Sequence, residues 1–177
     1  MSKQSRTLIT LAIAVAVLFS CKGKEKAAEP EAFSFVIYPG ARYLGQLTEM
    51  TKRAHTIANP ATEPPATAIF DTEATVEEVA QHFAKKYGYG EIVEQPAGGA
   101  PLNATWRTGD LAADAKAIAP LLEQLHTGTD ISQAKGTYRA ADLRSKPPTR
   151  PRVTIQRPYF DVLTSKVVDR TLILMSQ

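Results

Sequence analysis

Apolar and polar positions divide the chain into an apolar start, a charged bridge and a patterned remainder. Residues 8–19 (LITLAIAVAVLF) are apolar apart from Thr10, and residues 22–32 (KGKEKAAEPEA) are charged and small. The clearest periodicity follows at Val76, Val79, Ala80, Phe83 and Tyr87, which repeat at helical spacing and would form one apolar face. Thr75, with Glu78 three residues on, has the pattern of a capping box, in which side chains satisfy the first free backbone N–H groups. Glu77 and Glu78 suit the positive end of the helix dipole, Lys85 and Lys86 the negative end, and Gly88 a stop. The spacing predicts a helix over 76–87.

Strand patterns fall at 33–38 (FSFVIY, ended by Pro39-Gly40), 43–50, 67–70, 91–94, 102–107, 152–156 and 171–175 (TLILM). Residues 59–65 hold three prolines and predict a loop, as do 96–101 and 145–151. Residues 111–125 are rich in Ala and Leu, but Pro120 interrupts them. Proline is unfavourable inside a helix and welcome in its first turn, so two shorter helices are expected, with Pro120 starting the second. Strands 152–156 and 171–175 would pair antiparallel if the connection between them acts as a long hairpin. These elements predict an α+β fold: a mainly antiparallel sheet with helices packed on one face.

The first residues read as an address. Lys3 and Arg6 precede the apolar run, and a small residue, Ser20, ends it, which are the parts of a secretory signal peptide. Twelve residues of helix would reach about 18 Å, well short of a hydrocarbon core of about 30 Å. A permanent span is therefore a poor reading. The expected organisation is a signal peptide at 1–20, a flexible tether at 21–32 and a single α+β domain at 33–177.

Composition narrows the classes. The chain has 177 residues, 44% hydrophobic and 22% charged, which suits one domain with a tail. A single cysteine excludes an internal disulfide framework and a cysteine-based zinc site. Loss of Lys3 and Arg6 with a signal peptide would leave 19 basic against 18 acidic residues, a net charge of +1. A general nucleic-acid partner then has little electrostatic support.

Leu18-Phe19-Ser20-Cys21 resembles the lipobox of bacterial lipoproteins, with Phe19 departing from the usual smaller middle residue. The resemblance covers residues 1–21. It implies that the Cys21 thiol receives diacylglycerol, that the chain is cut before Cys21, and that a lipid bilayer is its first partner. Lys22, where an Asp would suggest retention in the inner membrane of enterobacteria, favours the periplasmic face of the outer membrane.

Candidate chemistry is thin. Ser132-Gln133-Ala134-Lys135 matches the SxxK spacing of penicillin-binding proteins and serine β-lactamases, but the companion SDN and KTG motifs are absent. A solvated loop or helix end is the expectation there. His55, His82 and His126 lack metal-ligand spacing, and His82 is expected to form a surface pair with Glu78. Asp161 and Asp169 read as turn residues. Between 135 and 157 the basic residues Lys135, Arg139, Arg144, Lys146, Arg150, Arg152 and Arg157 face one acid, Asp142. Arg144, Lys146, Arg150, Arg152 and Arg157 are candidates for contact with an anionic envelope component or an acidic protein partner; a solvated strand edge is the plainer reading. Only Tyr138 and Tyr159 lie nearby, which disfavours single-stranded nucleic acid.

Tyr38-Pro39-Gly40-Ala41, then Phe70-Asp71-Thr72, the Glu-Glu-Val helix ending Lys-Lys-Tyr, and the final TLI strand resemble small uncharacterised bacterial lipoproteins with a YPGA-type segment. The resemblance implies a fold and supplies no catalytic residue. The combined expectation is a membrane-anchored lipoprotein with a non-catalytic binding, envelope-maintenance or accessory role and no cofactor. The alternative is a small periplasmic hydrolase.

Overall fold

The computed structural model describes residues 35–95, 103–145 and 150–177. Cys21, the expected tether, the whole 96–101 loop and Lys146 lie outside the described residues. Its elements, in chain order, are β1 (Arg42–Tyr43), α1 (Gly45–Ala58), β2 (Thr67–Thr72), α2 (Val76–Tyr87), β3 (Val93–Glu94), β4 (Ala104–Asp110) and α3 (Leu111–Gln124). There follow a 3₁₀ turn (Ile131–Gln133), β5 (Thr137–Leu143), β6 (Arg152–Arg157), β7 (Tyr159–Asp161), β8 (Lys166–Val168) and β9 (Thr171–Ser176). Seven strands form one sheet in the order β1-β2-β9-β6-β5-β4-β3, antiparallel except for β3 beside β4. Strands β7 and β8 form a separate two-stranded ribbon between β6 and β9.

The class is the α+β class the sequence predicts. The helices, however, occupy both faces rather than one. Helix α2 covers the first face through Val79, Ala80 and Phe83, packed with Phe70, Ala141, Leu143, Val153, Ile155 and Ile173. Helix α3 lies on the second face, where Leu111, Ala115 and Ile118 meet Tyr138, Ala140 and Phe160, with Leu47 and Met50 of α1 packed alongside. All six residues of β2 are buried, as a strand covered on both sides requires.

Helix α2 forms as its pattern dictates. Thr75 and Glu78 complete the capping box, with Thr75 N–H donating to Glu78 at 2.8 Å and Glu78 N–H to Thr75 at 3.2 Å. Gly88 closes the other end in the left-handed region (φ 67°).

Three sequence expectations change. The strand expected at 43–50 is helix α1: two of its buried positions are Thr48 and Thr51, so the inward stripe looks polar in sequence. Their hydroxyls are satisfied by the carbonyls of Leu44 and Leu47 one turn back. The pair of helices expected around Pro120 is one continuous α3, because Pro120 sits on the exposed side, where the carbonyl deprived of its donor can meet solvent. The described part of the 33–38 segment is not a strand. Its chain packs on α2 instead, with Val36 N–H donating to the Tyr87 hydroxyl at 3.1 Å and Tyr38 edge-on to His82.

Helix α1 also seals the sheet beside β1. Leu44 N–H donates to the Ile69 carbonyl at 2.8 Å, and Ile69 N–H donates to the Thr48 hydroxyl at 3.0 Å. These contacts hold α1 over the second face and leave a cleft beneath it.

Candidate functional site

The cleft lies between α1 and the second face of the sheet. Leu47, Met50 and Thr51 come from α1, Ile69 from β2, Leu172 and Leu174 from β9, and Thr154 and Gln156 from β6. Tyr159, Phe160 and Val162 close the side toward the ribbon. About 40 Å³ is open inside it. Strand alternation explains the lining: the even positions of β6 and β9 face this side, while Val153, Ile155, Ile173 and Met175 face α2.

Four polar side chains stand in this apolar wall: the Thr51 and Thr154 hydroxyls donate to the Leu47 carbonyl and to Asp142, while Tyr159 and Gln156 differ in how far they are satisfied. The Tyr159 hydroxyl donates to Asp71 at 3.1 Å, and burial followed by the Asp71 charge pushes its pKa far up, so the phenol stays protonated. Gln156 is also buried, and its Nε2 donates to the Pro158 carbonyl at 3.3 Å. That bond fixes the amide orientation, since a flipped amide would set oxygen against oxygen. The Gln156 Oε1 is therefore an acceptor, and it has no partner. An unmet buried acceptor costs about 1–3 kcal/mol, which makes this atom an exception that calls for a partner.

Asp71 anchors the end of the cleft. It is fully buried and receives Arg42 through two bonds, at 3.1 and 2.7 Å, and Arg170 at 3.0 Å. Register places Arg42 directly opposite Asp71 across the β1–β2 pair. With Tyr159, four donor bonds surround one carboxylate, an arrangement that locks structure together.

A second buried acid, Asp114, accepts from the Tyr138 hydroxyl at 2.6 Å. Burial raises the Asp114 pKa above its ordinary value, while Tyr138 and the Arg107 charge pull it down. Arg107 completes the group by donating to the same Tyr138 hydroxyl.

The residues singled out from sequence fall elsewhere. Arg150 donates to the Gly88 carbonyl and lies over Tyr89, and Arg152 grips Asp142 through two bonds at 3.1 and 2.9 Å. Arg157 pairs with Asp169 at 2.8 Å and donates to the Glu73 carbonyl. Arg152 and Arg157, five residues apart on β6, lie on opposite sheet faces. They do not share one surface. Arg144 N–H donates to the Asn103 carbonyl at 2.8 Å, and Arg139 pairs with Glu94. Arg139, Arg150 and Arg157 thus meet acids and carbonyls that a count over 135–157 omits.

Ser132 lies in the 3₁₀ turn, its hydroxyl accepting from Gln133, and Lys135 is exposed. His82 is half-buried against Tyr38 and Phe83, because Glu78 is occupied by the cap and the ring is drawn to the aromatic cluster. Asp161 accepts from Leu163 N–H and Thr164, as a turn residue should. Among the described residues no group of three His, Cys, Asp or Glu side chains could hold a metal ion, and no helix is long and apolar enough to cross a membrane.

Sequence reasoning missed the cleft. The only local signal was Gln156, a lone amide in a strand otherwise read as core. No protein-family model matches this chain, and no curated protein or solved structure matches it.

Proposed function

We propose that this chain is a bacterial lipoprotein, held to a bilayer through acylated Cys21, whose α+β domain has a non-catalytic binding or accessory role in the envelope. One observation carries the reading: the only cysteine of the chain stands directly after an apolar run and a small residue, behind a basic start. A thiol at that point is the nucleophile a lipid attachment needs, and two or more acyl chains give stable anchoring. Lys22 supports an outer-membrane destination. The binding role draws support from the apolar cleft under α1, where a buried acceptor stands without a partner.

Mass spectrometry of the exported protein tests the anchor. The expected N-terminal peptide begins at Cys21 and carries diacylglycerol, and Cys21→Ser abolishes the mass increment. A product that retains Met1, or one that starts at Cys21 without lipid, overturns the proposal.

A further inference from the structure

We infer that the cleft beneath α1 is a binding site for a slender aliphatic molecule ending in an O–H or N–H donor, with Gln156 Oε1 as its acceptor. This deepens the binding role proposed above and rests on it, while the lipid anchor is read by a separate measurement. The geometry sets each part of the ligand's chemistry. Leu47, Met50, Leu172, Leu174 and Phe160 offer the occupant only apolar contact, which favours a hydrocarbon body. The open space of about 40 Å³ is too small for a ring-bearing group and takes the end of a slender chain. Met50, unbranched and only partly buried, is the lining side chain best able to shift and admit more of the chain.

The polar atom that the cleft leaves unmet is an acceptor. One N–H of the Gln156 Nε2 is committed to the Pro158 carbonyl, and the amide atom left without a partner is the acceptor Oε1. Tyr159 has its proton committed to Asp71, so its free capacity is also that of an acceptor. A ligand terminus with a donor is matched, and one with only acceptors leaves Oε1 unmet.

The test uses n-hexanol and 1-methoxypentane, probes of equal heavy-atom number of which only the first can donate. Each is titrated into the full chain in detergent, with methyl resonances of Ile69, Leu172 and Leu174 followed by NMR. The ratio of alcohol to ether affinity is compared between the wild-type chain and Gln156→Leu, because partition into detergent is common to both proteins. The expected result is saturable shifts, with about tenfold preference for the alcohol in wild type and no preference in the variant. Should the variant fail to fold, wild type alone decides: hexanol, and not the ether, should move the Gln156 side-chain amide resonances. Equal binding of both probes would mean that water satisfies Oε1, and the inference falls. Absence of saturable shifts with either probe overturns it as well.

Discussion

Gly109 lies directly opposite Tyr138 across the β4–β5 pair, and the Tyr138 ring covers it so closely that a Cβ at Gly109 would stand 2.2 Å from the ring. The missing side chain is what lets Tyr138 lie flat and reach Asp114. Gly109→Ala should therefore displace the ring and cost about 1–3 kcal/mol. Urea denaturation checks this. A variant as stable as the parent would show that the ring is free to move.

Asp114 makes stability depend on pH in a defined direction. Its pKa is raised in the folded state, chiefly by burial, above the ordinary 3.8. A raised carboxyl contributes stability that is present below the unfolded pKa and is lost as pH rises through the folded pKa. Asp114→Asn should thus gain on the parent as pH climbs from about 3 into the neutral range. Melting temperatures of both proteins across that range decide the matter, and a pH-independent difference would remove the burial argument.

The cap and the core of α2 separate two energies. Thr75→Ala should cost about 1 kcal/mol through loss of the N-cap bond. Phe83→Ala should cost about 3–5 kcal/mol, since the ring is fully buried between α2 and the sheet. Chemical denaturation reads both, and comparable small losses would contradict the observed packing.

Asp71 joins β1, the β2 strand, the residue after cis Pro158 and the turn before β9 in one contact set. Asp71→Ala should cost about 3–5 kcal/mol, because it leaves the buried Tyr159 hydroxyl and the Arg170 contact without their acceptor. Tyr159→Phe, which removes only one donor, should cost about 1 kcal/mol. A larger loss in Tyr159→Phe than in Asp71→Ala would assign the anchoring to the ring rather than to the carboxylate.

Pro120 stands inside α3 without breaking it. Restoring an N–H with Pro120→Ala should stabilise the protein by about 2 kcal/mol, the helix gain less the extra freedom of the unfolded chain. A loss of stability in thermal melts would show that the proline shapes α3 to fit the sheet.

Helix α2 was legible because everything that makes it lies within a dozen residues: periodic apolar side chains, a hydroxyl with its Glu, and a closing glycine. The strands at the end of the chain were legible for a similar reason, since TLILM and RVTIQ are dense in strand-forming side chains. Helix α1 was not, because Thr48 and Thr51 are buried only after the sheet edge and local carbonyls have taken up their hydroxyls. The partners of Arg150, Arg152 and Arg157 were illegible for the same kind of reason. Asp142, Asp169 and the Gly88 carbonyl reach them only through folding.

Local order along the chain thus determined the α+β class and the capped helix, and it alone carries the proposed address at Cys21, since each depends on neighbours close in sequence. The cleft belongs wholly to the tertiary level, since its walls run from Leu47 to Leu174 and its anchor joins Asp71 to Arg170 across 99 positions. Contacts at such separations depend on chain closure and packing, and no pattern within one segment encodes which acceptor will be left without a donor.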